Sequence, residues 1–195
     1  FLKKHFEPIR RLFLRYGIKS ITIDDICSHL SISKKTLYNE YTNKEELIRD
    51  IFLYDFLEFK ERLLSVSKQS PDAIEETCEL VELILNKHLS FGTSTLYDMQ
   101  KYYRWIYEEI NKMMNESIQV SLSKSLLRGI QEGNFRKNLN SDLTASIIIL
   151  TLNSGFFEKD KRTISFLLAD IMDYHFRSIC SPQGFRQWKK SKINR

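Results

Sequence analysis

An all-α fold is predicted by three features of the 195-residue chain: only 6 glycines and 3 prolines, apolar residues recurring at three- and four-residue steps, and helix-capping signals at short intervals. With 42% hydrophobic and 28% charged residues the chain can bury a substantial core, which excludes disordered and collagen-like classes. The longest uninterrupted aliphatic run, Ile147 to Leu150, falls far short of the roughly 20 apolar residues a membrane-spanning helix needs. No membrane partner is expected, and the protein is expected in the cytoplasm. Cys27, Cys78 and Cys180 are odd in number, lack CxxC spacing and have no histidine placed to complete a zinc set, so neither a disulfide framework nor a structural zinc is expected; no metal or cofactor is expected.

Leu2, Phe6, Ile9, Leu12, Phe13 and Tyr16 lie on one stripe of a first helix, which Gly17 ends. Thr22, with Asp25 three residues on, has the pattern of a capping box and opens a short helix that turns Ile23, Ile26 and Leu30 inward. Ser31 to Ser33 form a turn, and Ser33 caps a helix from Lys34 to Tyr41. Asn43 with Glu46 caps a long helix over 43–68. Two short helices joined by a three-residue turn, with the small Cys27 at their crossing, predict a helix-turn-helix. Leu37 and Tyr41 face the core of that unit and leave Lys34, Lys35, Thr36, Tyr38 and Asn39 outside. Lysines and hydroxyls suit phosphate oxygens, Asn39 can bond adenine in the major groove, and capped helix N-termini favour anions.

Charge is distributed to match. Residues 1–44 hold nine Lys/Arg against four acids, residues 45–176 hold fifteen against twenty-one, and residues 177–195 hold six against none. A basic head on an acidic body suits a chain that meets a polyanion at one end.

Farther along, Ser70-Pro71-Asp72 starts a helix running to about Leu89, which Phe91-Gly92 breaks. A short segment from Ser94 to Lys101 precedes a long helix that ends near Gly129 or Gly133. Asn140-Ser141-Asp142 opens one reaching Phe156, and 161–178 forms the last. These last two are apolar on more than one side, wider than a monomer needs, so they are expected to form a homodimer interface through Ile148, Ile149, Leu152, Phe156, Phe166, Leu167 and Met172. Cys78, Val81, Leu85 and His88 share a helical face, while Tyr103, Tyr107, Met113 and Met114 line another; either set serves as core or as the wall of a ligand cavity. The tail from Ser181, basic and carrying Phe185 and Trp188, is a solvated terminus, a cover or a further polyanion contact.

From Gly17 to Leu47 the chain resembles the DNA-binding domain of the tetracycline-repressor (TetR) family of bacterial regulators. Thr22-Ile23-Asp24-Asp25-Ile26, Ile32-Ser33-Lys34-Lys35-Thr36-Leu37-Tyr38, Tyr41 and Lys44-Glu45-Glu46-Leu47 carry the resemblance, with departures at Ser31, Lys35 and Glu40. It implies DNA contacts by Thr22, Ser33, Thr36, Tyr38 and Lys44. It extends more weakly to Leu96–Tyr103 and Glu132–Arg136. By this resemblance, residues 1–46 form a DNA-binding domain, 47–180 a sensor and dimerisation domain, and 181–195 a basic tail. The implied function is a homodimeric repressor that leaves a near-palindromic double-stranded operator when a small-molecule effector binds. The alternative is a helical ligand- or protein-binding adaptor. No glycine-rich phosphate loop or nucleophile context is present and the four histidines lie far apart in sequence, so an enzyme is not expected.

Overall fold

The computed structural model describes residues 2–153 and 164–190. A 3-10 turn at Leu2–His5 leads into ten α-helices among the described residues: α1 Phe6–Tyr16, α2 Ile23–Leu30, α3 Lys34–Tyr38, α4 Lys44–Gln69, α5 Ala73–Ser90, α6 Thr93–Tyr102, α7 Arg104–Gln131, α8 Ser141–Asn153, α9 Ile164–Ile179 and α10 Pro182–Lys190. They divide into two compact units, residues 1–60 with 90–114, and residues 61–89 with 115–195.

In the first unit, Phe6, Ile9 and Phe13 of α1 pack with Ile26 of α2, Leu37 of α3, Leu47, Ile51 and Phe52 of α4, Met99 of α6 and Ile106 of α7. Tyr16, expected on the inward stripe, is half-exposed at the end of α1. Gly17 terminates the helix at φ 82°, where a side chain would be strained and would collide with Ser94 and Asp98. The α1–α2 turn is held by α6: Thr95 Oγ1 donates to Phe13 O at 2.6 Å, and Lys19 N–H donates to Asp98 Oδ2 at 2.8 Å.

Two local departures from the sequence expectation have simple causes. At the end of α3, Glu40 and Tyr41 both direct their N–H groups to Leu37 O, so the helix closes at Tyr38 while Tyr41 still reaches the core. Near α5, Asp72 is the capping residue, its Oδ1 accepting from Ile74 and Glu75 N–H, while Ser70 Oγ donates to Val66 O and Glu79.

In the second unit, Arg128 joins Glu76, Glu132 and the carbonyls of Ser70 and Pro71. Thr77 and Ser125 share a buried hydroxyl hydrogen bond of 2.8 Å. Burial pushes the Cys180 thiol up to about 12 and the Cys78 thiol up as well, so both stay protonated at neutral pH. The residues after Ser181 are not simply a solvated tail. Ser181 Oγ caps α10 by accepting from Gly184 N–H, Pro182 takes the first helical position, and Trp188 is buried in a stack on Phe176 at 5.2 Å. Gly184 is required there, because a Cβ would stand 1.9 Å from Asn134 O. Here the serine-proline pair does start the helix, unlike Ser70-Pro71, where the cap falls to Asp72.

Ser31 closes α2 in the left-handed region, φ 54° and ψ 42°, with its N–H on the carbonyls of Cys27 and Ser28. An L side chain is strained in that conformation. Ser31→Gly is therefore expected to stabilise the first unit by about 0.5–1 kcal/mol, as measured by urea unfolding.

Candidate nucleic-acid interface

Three capped helix starts build the exposed face of the first unit. Thr22 Oγ1 accepts from Asp25 N–H at 3.1 Å, and Asp25 Oδ2 accepts from both the Thr22 N–H at 2.8 Å and its hydroxyl at 2.6 Å. Ser33 Oγ accepts from Thr36 N–H at 3.0 Å and shares a hydroxyl contact of 2.8 Å with Thr36 Oγ1. Asn43 Oδ1 accepts from Glu46 N–H at 3.0 Å, and the Glu46 carboxylate takes Thr42 N–H at 2.9 Å. The hydroxyls of Thr22, Ser33 and Thr36 thus first order the backbone, and any DNA contact they make comes in addition to that task.

On α3 the structure separates two sets of side chains. Leu37 is buried and anchors the helix, while Lys35, Tyr38 and Asn39 are exposed. Lys34 is exposed too, but its ammonium pairs with Asp24 of α2 at 2.6 Å, which ties the two helices together. Such exposed pairs are weak and yield readily to a phosphate. Glu40 is also exposed.

Lys44 has an internal role that its place in the motif did not reveal. Its Nζ donates to Ile18 O and Ile21 O, each at 2.5 Å, bracketing the α1–α2 turn. Burial pulls its pKa down, opposed by Asp98 and Asp25. The lysine is half-buried and acts on the position of the α2 N-terminus.

The remaining candidates fall apart spatially. Cys78, Val81 and Leu85 are buried in the second unit, whereas Tyr103, Tyr107, Met113 and Met114 pack against the core of the first. His88 is exposed on the last turn of α5, so it is neither a core histidine nor a buried anchor. An open groove of about 490 Å³ lies in the first unit, lined by Pro8, Arg11, Leu12, Arg15, Tyr16 and His29.

On α8, Ile148 and Leu152 are buried inside the protomer, as is Met172 on α9, and Ile149 is half-buried. These buried side chains are core and cannot form a dimer face. Phe156 lies outside the described residues, as do the side chains of Phe166 and Leu167. The outward apolar stripe of α8 is Leu143, Ile147 and Leu150, which are 59%, 46% and 69% exposed. Periodicity found the two apolar faces without distinguishing which one packs inside.

Hydrogen bonds from Thr22 hold the Asp25 carboxyl below its ordinary 3.8, and those from Thr42 hold Glu46 below its ordinary 4.5. A carboxyl lowered on folding contributes stability above its unfolded pKa and loses it as the pH falls through the folded value. Unfolding measured from about pH 7 down to pH 2.5 is expected to show the first unit weakening below about pH 4.5, with Thr22→Ala removing the Asp25 share.

Residues 8–51 match the family described as bacterial regulatory proteins, tetR family. The HTH-type transcriptional regulator UidR of Escherichia coli K12 is 33% identical over 88 residues, 45% of this chain and 43% of UidR, so the chain spans less than half of that relative's length. The uncharacterised HTH-type regulator YhgD of Bacillus subtilis is 24% identical over 169 residues, 80% of this chain and 82% of YhgD. A transcriptional regulator from Cytophaga hutchinsonii superposes with a TM-score of 0.76 at 16% identity, covering 92% of this chain and 98% of that one. A putative transcriptional regulator from Saccharomonospora viridis in complex with choline gives 0.72 at 18%, over 90% and 95% of the two chains. FadR of Bacillus subtilis in complex with stearoyl-CoA gives 0.65 at 17%, over 88% and 95%. The helix-turn-helix of α2 and α3 lies inside the matched segment, so residues 8–51 are similar to the tetR family of bacterial regulatory proteins.

Proposed function

We propose that the protein is a homodimeric transcriptional repressor that binds a near-palindromic operator through α3 and leaves it when a small molecule binds. The observation that carries this reading is α3 itself: Leu37 inside, with Lys35, Tyr38 and Asn39 outside between the capped N-termini of α2 and α4. Lys34, Ser33 and Thr36 add phosphate donors, and Lys44 and Thr22 set the position of α2. One recognition helix reads too few base pairs for specific affinity, and a two-fold pair doubles the contacts. The outward stripe of α8, together with the exposed Tyr174 on α9, supports pairing through these helices. The division of labour remains that proposed from the sequence, with DNA binding in residues 1–46 and sensing and pairing in 47–180.

Release by an effector follows the likeness to regulators solved with choline or stearoyl-CoA. The proposed occupant is a small, largely apolar molecule, with Cys78, Val81 and Leu85 facing it. Because α6 holds the α1–α2 turn through Thr95 and Asp98, a shift of the segment entering α6 acts directly on the helix-turn-helix. A coupling of about 1–3 kcal/mol changes operator affinity some five- to 150-fold.

Selection of duplexes from random DNA by the purified protein tests the central claim, and failure to enrich any two-fold-related sequence overturns it. On the enriched duplex, Asn39→Ala is expected to relax preference at one base position by about 1–3 kcal/mol. Lys35→Ala is expected to weaken all sequences alike and to reduce the salt slope by about one. For assembly, sedimentation of Leu150→Glu is expected to show a shift from dimer to monomer at micromolar concentration, with the helical content retained because the side chain is outside the core.

A further inference from the structure

We propose that the corner where α6 passes into α7 is a second phosphate-binding surface, on which Lys19 and Lys101, gathered around the ring of Tyr102, hold the backbone of the DNA duplex beside the segment read by α3. The inference rests on the DNA-binding reading above and adds residues outside the helix-turn-helix to it. Lys19 Nζ stands 3.7 Å from the Tyr102 ring centroid. Lys101 Nζ stands 5.3 Å from the same centroid and 5.0 Å from that of Tyr97, whose hydroxyl it reaches at 2.5 Å. Two ammonium groups therefore share one exposed phenol ring. An anion that reaches this ring meets both positive charges.

The carboxylates beside this corner are Asp98 and Glu45, both of which act on the neighbouring Tyr103. Asp98, the carboxylate nearest the turn, is buried and accepts the Lys19 backbone N–H. Among the described residues neither ammonium makes an ion pair; the groups acting on Lys101 are the Tyr97 and Tyr102 hydroxyls. The field is felt by Tyr102, whose phenol is drawn below its ordinary pKa chiefly by its hydrogen bond with Lys19. Arg104 adds little, since Glu108 holds it at 2.7 Å.

Duplex DNA is the occupant favoured by charge and by continuity. Lys19 sits in the turn that Lys44, the first residue of α4, brackets through Ile18 O and Ile21 O, and three residues after it Thr22 caps α2. The start of α7 runs beside the start of α4: Trp105 Nε1 lies 3.4 Å from the Glu45 carboxylate, and Arg49 pairs with Glu109. The corner thus borders the N-termini of α2 and α4, the two helix ends that favour phosphate in the proposed interface. The rings hold the ammoniums in place, and the lysines supply a sequence-independent grip.

The test titrates the selected duplex with wild type, Lys19→Ala, Lys101→Ala and the double variant at several salt concentrations, with Lys35→Ala as the reference. Each single change is expected to reduce the slope of log affinity against log salt by about 0.9, and the double change by about twice that, equally for selected and scrambled duplexes. Base preference stays unchanged, and Lys101→Arg restores the slope. Phosphate-ethylation interference is expected to lose positions outside the α3 footprint in the Lys101→Ala complex. A Lys19→Gln/Lys101→Gln variant keeps the aliphatic stems over the ring, and its unchanged circular dichroism separates loss of charge from loss of fold. Wild-type binding with an unaltered slope in both double variants overturns this proposal alone, and marks the corner as a surface for an acidic protein if the same variants abolish such an association. Wild type that binds no duplex overturns the DNA-binding reading and this inference together.

Discussion

Between Gly17 and Thr22 the chain reverses direction without regular structure, so its backbone groups must be satisfied by side chains from elsewhere. Lys44 supplies donors to the carbonyls of Ile18 and Ile21, and Asp98 accepts the Lys19 N–H. Thr95 donates to Phe13 O, which also closes α1 through Gly17 N–H. Three helices, α1, α4 and α6, are thereby fixed to one turn, and that turn aims α2. Removing the Lys44 or the Asp98 side chain would strand buried polar groups, which costs more than the bonds themselves contribute. This accounts for the clustering of α6 with the first unit, although its contacts with the turn span 79 and 82 residues of sequence.

The same economy governs the exposed face. Thr22, Ser33 and Asn43 each satisfy a helix start, and Lys34 joins α2 to α3 through Asp24. What remains for a partner is the outer side of α3, together with the positive ends of the capped helices. A short helix can present such a face only because Leu37 is buried beneath it and Tyr41, just beyond its end, reaches the core with its hydroxyl on Asp50 at 3.2 Å.

The second unit shows how one helix serves two ends. Ala145, Ile148 and Leu152 turn α8 inward, while Leu143, Ile147 and Leu150 leave an apolar stripe on the opposite side. At the C-terminal end, α10 closes against the 133–135 turn through Ser181, whose Oγ donates to Gly133 O at 2.7 Å and whose N–H donates to Asn134 O at 2.9 Å. The stacked rings of Phe176 and Trp188 complete that closure.

Much of this was legible in local sequence, because capping and periodicity act over three or four residues. Thr22 with Asp25, Ser33 before Lys34, Asn43 with Glu46, the stop at Gly17 and the inward Leu37 and Tyr41 all follow from spacing alone, and with them the all-α class and the helix-turn-helix. Other features depend on partners distant in sequence. That Lys44 turns inward to two carbonyls, that α6 holds the α1–α2 turn, that His88 is exposed on the last turn of α5, and which apolar face of α8 is core were decided by tertiary packing. Periodicity shows that a helix has an apolar face, but only the three-dimensional neighbours determine what meets it, because burial and long-range hydrogen bonds are properties of the assembled chain and not of any segment within it.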